Sequence, residues 1–85
     1  MHYCLYILLC ENNKLYTGIA VDPEARFELH KSGKGAKYTR ANRPIRIVYT
    51  ERFKTRSEAL KREAEIKKMR KRGKELLINK NKDLI

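Results

Sequence analysis

Residues 3–10 form a run of aromatic and aliphatic side chains, closed by the polar Glu11-Asn12-Asn13. An apolar run bounded by turn residues predicts a strand followed by a turn. Residues 14–20 predict a second strand, so the two make a hairpin. A three-residue loop, with Asn13 tolerating positive φ, pairs Cys10 with Lys14. Tyr16 then faces Leu8, and Tyr6 faces Gly18. All even-numbered residues share one face, and the two tyrosines become diagonal neighbours. A two-residue loop would put them on opposite faces. From the hairpin alone, both read as ordinary strand tyrosines.

Asp22-Pro23 predicts a helix start, with Asp as N-cap and Pro at the first helical position; Gly33 predicts its end. At about 100° per residue, Glu24, Glu28 and Lys31 fall on the solvent side. Ala25, Phe27 and Leu29 bracket the opposite side, and Arg26 and His30 lie inside that bracket, one turn apart. A core rarely admits an unpaired Arg, so Arg26 breaks the amphipathic pattern. An arginine snorkelling to an edge gives the same pattern without any function.

Residues 33–44 form a basic connector whose two glycines rule out one long helix. Its Lys34, Lys37, Arg40 and Arg43 could contact phosphates, and Tyr38 could stack on a base. A basic loop is also commonly no more than solvated. Residues 45–50 predict a third strand, with Ile45, Ile47 and Tyr49 on one face and Arg46, Val48 and Thr50 on the other. It joins the hairpin in one antiparallel sheet.

Thr55-Arg56-Ser57-Glu58 is a capping box that starts the main helix. Its expected end lies near residues 70–73. Glu58, Lys61, Glu65 and Lys68 point outward, whereas Ala59, Leu60, Ala64 and Ile66 point inward. Glu63 falls inside the inward face, the same anomaly as Arg26 with opposite sign. A buried Glu63–Arg26 pair serving the fold alone would explain both. Such pairs seldom add stability over apolar residues, which favours a functional reading. Lys67 and Arg70, in the basic run that closes this helix, complement its C-terminus or bind a nucleic-acid backbone. A short helix over residues 74–79 follows, with Leu76, Leu77 and Ile78 capping the core. The pattern is α+β, in the order β-β-α-β-α-α: a three-stranded antiparallel sheet flanked by helices. It makes one domain over residues 1–79 and a loose tail over 80–85.

Charge narrows the class of partner. The 85 residues hold 21 Lys+Arg against 10 Asp+Glu, a net charge of +11. Residues 1–30 carry −2 and residues 31–85 carry +13. A one-sided surplus on a small domain points to a polyanion, most often nucleic acid. A solubility charge or a ribosome-associated protein is the plainer alternative. Cys4 and Cys10 stand too far apart along one strand to bridge, and with His2 and His30 they lack zinc-site spacing. Reduced thiols suit a cytoplasmic location. No segment reads as a signal peptide or membrane span.

Two sheet tyrosines, an inward Arg, an inward His and an inward Glu are thus expected on one side of a basic domain. Phosphodiester hydrolysis needs positive charge at the phosphate, a base for water and a grip on the phosphate. One carboxylate can hold one divalent ion if waters and phosphate complete its shell. An Arg offers two donors to a phosphate. A tyrosine beside cations can take a proton from water.

Leu5-Tyr6, Tyr16-Thr17-Gly18, Arg26, His30 and Glu63, in this order and spacing, resemble the GIY-YIG nuclease superfamily. The resemblance covers about residues 3–79. Residues 32–40 and 56–63 look like the small single-domain bacterial branch. The resemblance implies metal-dependent DNA cleavage at a single Mg²⁺ or Mn²⁺, with DNA repair as a setting. Carried over by position, Glu63 is the metal ligand, Tyr16 the general base, and Arg26 the grip on the scissile phosphate. His30 assists the base or the phosphate, and Tyr6 supports the site by hydrogen bonding. Cys4 stands where the family name has Gly, and Thr17 where it has Ile. Ile19 stands where the DNA-repair incision enzymes carry a Lys, so another cation is expected to replace it. Asn79 or Asn81 stands near the place of an Asn that often follows the catalytic helix. The expected substrate is single-stranded or branched DNA rather than plain duplex, with RNA open. Specificity would come from this domain, a homodimer or a partner. The competing reading is a basic nucleic-acid-binding module on a nuclease scaffold, without catalysis. A toxin or mobile-element enzyme is a third.

Overall fold

Two asparagines make the hairpin turn. Glu11–Asn13 forms one 3-10 turn in which Asn12 (φ 62°) and Asn13 (φ 58°) both lie in the left-handed region, where Asn is tolerated better than most residues. Cys10 therefore pairs with Lys14, Leu8 with Tyr16 and Tyr6 with Gly18, as the three-residue loop predicts. The computed structural model describes residues 2–83. Its elements are β1 (Tyr3–Cys10), β2 (Lys14–Ala20), α1 (Pro23–Lys31), α2 (Lys37–Ala41), β3 (Pro44–Phe53), α3 (Arg56–Lys67) and α4 (Lys71–Asp83). The sheet is antiparallel in the order β2-β1-β3, which leaves β2 at an edge.

Alternation along β1 divides the core between two faces. Leu5 and Ile7 pack with Tyr49 against Ile66 of α3 and Ile78 of α4. Tyr6, Leu8 and Cys10 pack with Ala20 and Ile47 against Phe27 of α1. Helices thus cover both faces, each anchored by fully buried side chains worth about 1.5–3 kcal/mol apiece. The caps behave as the sequence indicates. The Asp22 carboxylate accepts from the Ala25 amide, and Thr55 and Glu58 exchange side-chain and backbone bonds in a complete capping box.

Several expectations are corrected. β3 is longer than residues 45–50, and its register against β1 shifts between Ile7 and Leu8 and again between Leu9 and Cys10. The extra residue turns Ile47 to the Tyr6 face while Val48 and Tyr49 pack on the Leu5 face, so simple alternation fails there. Ile45 is 54% exposed. The basic connector contains the short α2. α3 ends at Lys67 rather than near 70–73, which lets Met69, Leu77 and Ile78 fold back on the core. α4 runs from Lys71 to Asp83, longer than 74–79 at both ends, and leaves Leu76 61% exposed. The expected boundary between domain and tail at 79/80 falls inside this helix; Leu84 and Ile85 lie outside the described residues. Leu29, Leu60, Ala25 and Ala64, expected inward, are not buried. The structural ion pair of the fold is Arg62 with Glu51, at 2.9 Å, and not Glu63 with Arg26. Burial pushes the Glu51 carboxyl up, but hydrogen bonds from Arg62 and Tyr49 outweigh it and hold the carboxyl below its ordinary value. Burial and that same carboxylate push the Tyr49 phenol up to about 12.

Thr17, opposite Ile7 on β2, is buried and its hydroxyl has no partner. Val has the same shape without the unsatisfied hydroxyl. Thr17→Val should therefore stabilise the domain by about 1 kcal/mol, or about 4–8 °C in Tm. A lower Tm in thermal melts would show that the hydroxyl is satisfied in solution.

Candidate active site

Tyr6 is only 1% exposed, yet its phenol reaches an open cleft. It does so because β2 carries Gly18 opposite it: a Cβ there would sit 2.6 Å from the Tyr6 hydroxyl. The cleft, about 390 Å³, is lined by Tyr6, Tyr16 and Gly18 from the sheet, Arg26 from α1, and Arg56 and Glu63 from α3. The tyrosine rings lie on one face with centroids 6.4 Å apart.

Glu63 arrives by a different route from the one expected. α3 packs on the Leu5 face and α1 on the Tyr6 face, so the cleft opens along the edge strand β2, where both helices reach it. The Glu63 side chain is 18% exposed and its Oε2 lies 3.3 Å from Lys67 Nζ. Lys67, expected as a backbone contact, thus stands at the cleft's carboxylate. Arg26, on the exposed side of α1, meets the same cleft and does not enter the core.

His30 is placed behind this surface rather than in it. It is 2% exposed, with Nε2 3.0 Å from the Tyr6 hydroxyl and Nδ1 2.7 Å from Thr39 Oγ1. The Thr39 hydroxyl also lies 2.9 Å from the Ala36 carbonyl oxygen, so α2 is tied to the ring. Gly35 makes the approach possible: a Cβ there would fall 2.1 Å from His30 Nδ1. A neutral imidazole donates through one nitrogen and accepts through the other, which suits this position between two hydroxyls. Burial, and then the charge of Arg26, push the His30 pKa below its ordinary value. Burial and then Tyr16 push the Tyr6 phenol well above the usual tyrosine range, so it stays protonated and can donate.

The His30 shift has a consequence for stability. The folded state prefers the neutral ring, and the unfolded chain binds a proton more readily. The contribution is complete above the unfolded pKa of about 6.5 and is lost as pH falls toward the lower folded value. The Tm should fall between about pH 7.5 and pH 5.5, and His30→Gln should flatten that fall. Equal slopes in the two proteins would place the pH sensitivity elsewhere.

The other expected contacts are dispersed. Tyr38, on α2, has its ring 5.9 Å from that of Tyr16. Lys34, Lys37, Arg40 and Arg70 do not line the cleft, and Arg43 lines a separate hollow with Glu11 and Lys31. Asn79 lines a cavity with Leu9, Leu15 and Ile78, away from Glu63, and the Asn81 side chain lies outside the described residues. From the sequence alone, Thr39, Gly35 and Arg56 have no expected role in the site. Arg56 is a second cation, after Arg26, in the cleft that Ile19 also lines. Its only signal is its place in the capping box. Among the described residues no helix is long and apolar enough to cross a membrane.

The profile of the GIY-YIG catalytic domain matches residues 2–76. A UPF0213 protein of Staphylococcus saprophyticus is 51% identical over 78 residues, covering 92% of this chain and 94% of its own. One of Staphylococcus aureus is 56% identical over 63 residues, covering 74% of this chain and 77% of its own. The solution structure of a UPF0213 protein from Bacillus halodurans is similar with a TM-score of 0.60 at 43% identity, covering 93% of this chain and 84% of that one. A solution structure from E. faecalis gives a TM-score of 0.65 at 43% identity, covering 94% and 85%.

Proposed function

We propose, for a chain that belongs to the GIY-YIG catalytic domain family, that this cleft hydrolyses phosphodiester bonds in DNA with one divalent cation. The observation that carries the reading is the meeting of Tyr6, Tyr16, Arg26 and Glu63 in one cleft of a domain with net charge +11. Arg26 binds the scissile phosphate through two donors, and Arg56 adds a second positive charge to the same cleft. Tyr6 is kept protonated by burial, which removes it as a base and makes it a donor. Tyr16, whose ring lies 6.4 Å from that of Tyr6 on the same face of the sheet, takes the proton from water. His30 is a positioning residue that fixes the Tyr6 hydroxyl.

The donor set suits Mg²⁺ or Mn²⁺. Among the described residues no three His, Cys, Asp or Glu cluster together, so a closed cage of protein ligands does not fit. A lone part-buried carboxylate does fit an ion that keeps its waters and takes phosphate oxygens. Glu63 would hold it, and Lys67 at 3.3 Å already shows the carboxylate open to positive charge. When bound, the ion supplies charge stabilisation at the phosphate. Cys4 and Cys10, both free and buried, fit a reducing compartment such as the cytosol.

An open cleft at a sheet edge suits single-stranded or branched DNA better than plain duplex. A cleavage screen over single-stranded, duplex, flap and junction DNA, and RNA, tests this. Mg²⁺-dependent products from single-stranded or branched DNA, absent with EDTA, are expected. Salt-sensitive binding with no product from any substrate would instead leave a binding module.

A further inference from the structure

A second groove continues past Tyr16. Lys14 and Leu15 of β2, Tyr38 of α2, and Lys71 and Lys74 of α4 line this open hollow of about 230 Å³. Tyr16 connects it to the cleft, since it lines the cleft and its ring lies 5.9 Å from that of Tyr38. The groove holds three lysines and no carboxylate. Among the described residues none of the three has an ion-pair partner within 4.0 Å. Lys71 and Lys74 also sit at the start of α4, whose first turn has no acidic residue, where a helix disfavours cations. Tyr38 is 40% exposed beside them.

Clustered cations next to an exposed aromatic ring match a strand with a charged backbone and unpaired bases. We infer that this groove holds single-stranded DNA next to the scissile phosphate, with Lys14, Lys71 and Lys74 on phosphates and Tyr38 against a base. The inference rests on the reading of the cleft as a DNA nuclease site. Lys14 to Gly18 spans about 13 Å of strand. That is about four steps of a stacked strand at roughly 3.4 Å each. The groove would therefore engage the strand a few nucleotides from the cut.

The test is salt-dependent binding in EDTA of a short fluorescein-labelled single-stranded DNA, comparing wild type with the triple variant Lys14→Ala, Lys71→Ala, Lys74→Ala. Removing three phosphate-binding cations should reduce the slope of log K against log salt by about two and weaken binding about tenfold or more at low salt. The Tm should hold or rise, because the substitutions relieve unfavourable charge at the start of α4. An unchanged slope with wild-type affinity overturns the groove and leaves the nuclease reading untouched, because that reading depends on cleavage. A reduced slope supports the groove even where wild type cuts nothing, a result that would remove the nuclease reading alone. With duplex DNA and RNA of the same length as parallel probes, a loss confined to either of these overturns the single-strand assignment.

Discussion

Gly35→Ala is expected to cost about 2 kcal/mol, which for a domain of this size lowers the Tm by about 8–16 °C. Cleavage should fall with it. Gly35 does not need a left-handed backbone; it needs the missing Cβ, which would lie 2.1 Å from His30 Nδ1. The ring cannot easily move aside. It is buried and held at both nitrogens, by Tyr6 on one side and Thr39 on the other. A displaced ring leaves Tyr6 and Thr39 without their partner and shifts a phenol of the cleft. Gly33 provides the contrast. It sits at φ 82° with nothing within 4 Å, so Ala there meets only conformational strain, about 1–2 kcal/mol. Melting curves and cleavage rates of the two variants separate the effects: both lose stability, and only Gly35→Ala should disturb the site. A Gly35→Ala protein that melts and cuts like wild type would mean that the His30 network is looser than its geometry.

Much of the site was legible because local rules fix it. The register of Tyr6 and Tyr16 follows from the length of one turn and the two-residue period of a strand, and the pairing agrees. Arg26 and Glu63 stood out as charges on faces that should be apolar. Both do line the cleft, although they reach it around an edge strand rather than from one side of the sheet. The helical period also puts His30 inward, and it is buried.

The misses are tertiary or short. Two irregularities each add one residue to β3, and nothing in the alternation of Ile45, Ile47 and Tyr49 marks where they fall. α2 is too brief to show a helical period. Residues 67–72 are good helix formers, so no local signal marks the break that lets Ile78 return to the core. Thr39 has the sequence context of a solvated basic loop; its bond to His30 exists only once α2 folds against α1. Lys14 belongs to the acidic third of the chain, and only the fold sets it beside Lys71 and Lys74.

The claim at the centre is that this cleft is a catalytic surface whose cation is held by Glu63, and Glu63→Ala tests it most directly. In the folded protein the substitution removes a partly exposed pair with Lys67, which contributes about 0–1 kcal/mol, so the domain should still fold. The Lys and Arg surplus is untouched, so DNA binding in EDTA should persist. Cleavage in Mg²⁺ or Mn²⁺ should fall by about a thousandfold or more, the scale of removing a main electrostatic group at a reacting centre. The measurement is the single-turnover cleavage rate of labelled single-stranded or branched DNA by wild type and Glu63→Ala, with Tm and binding recorded on the same preparations. A folded, DNA-binding variant that no longer cuts is the predicted result; a variant that cuts at the wild-type rate would contradict the account.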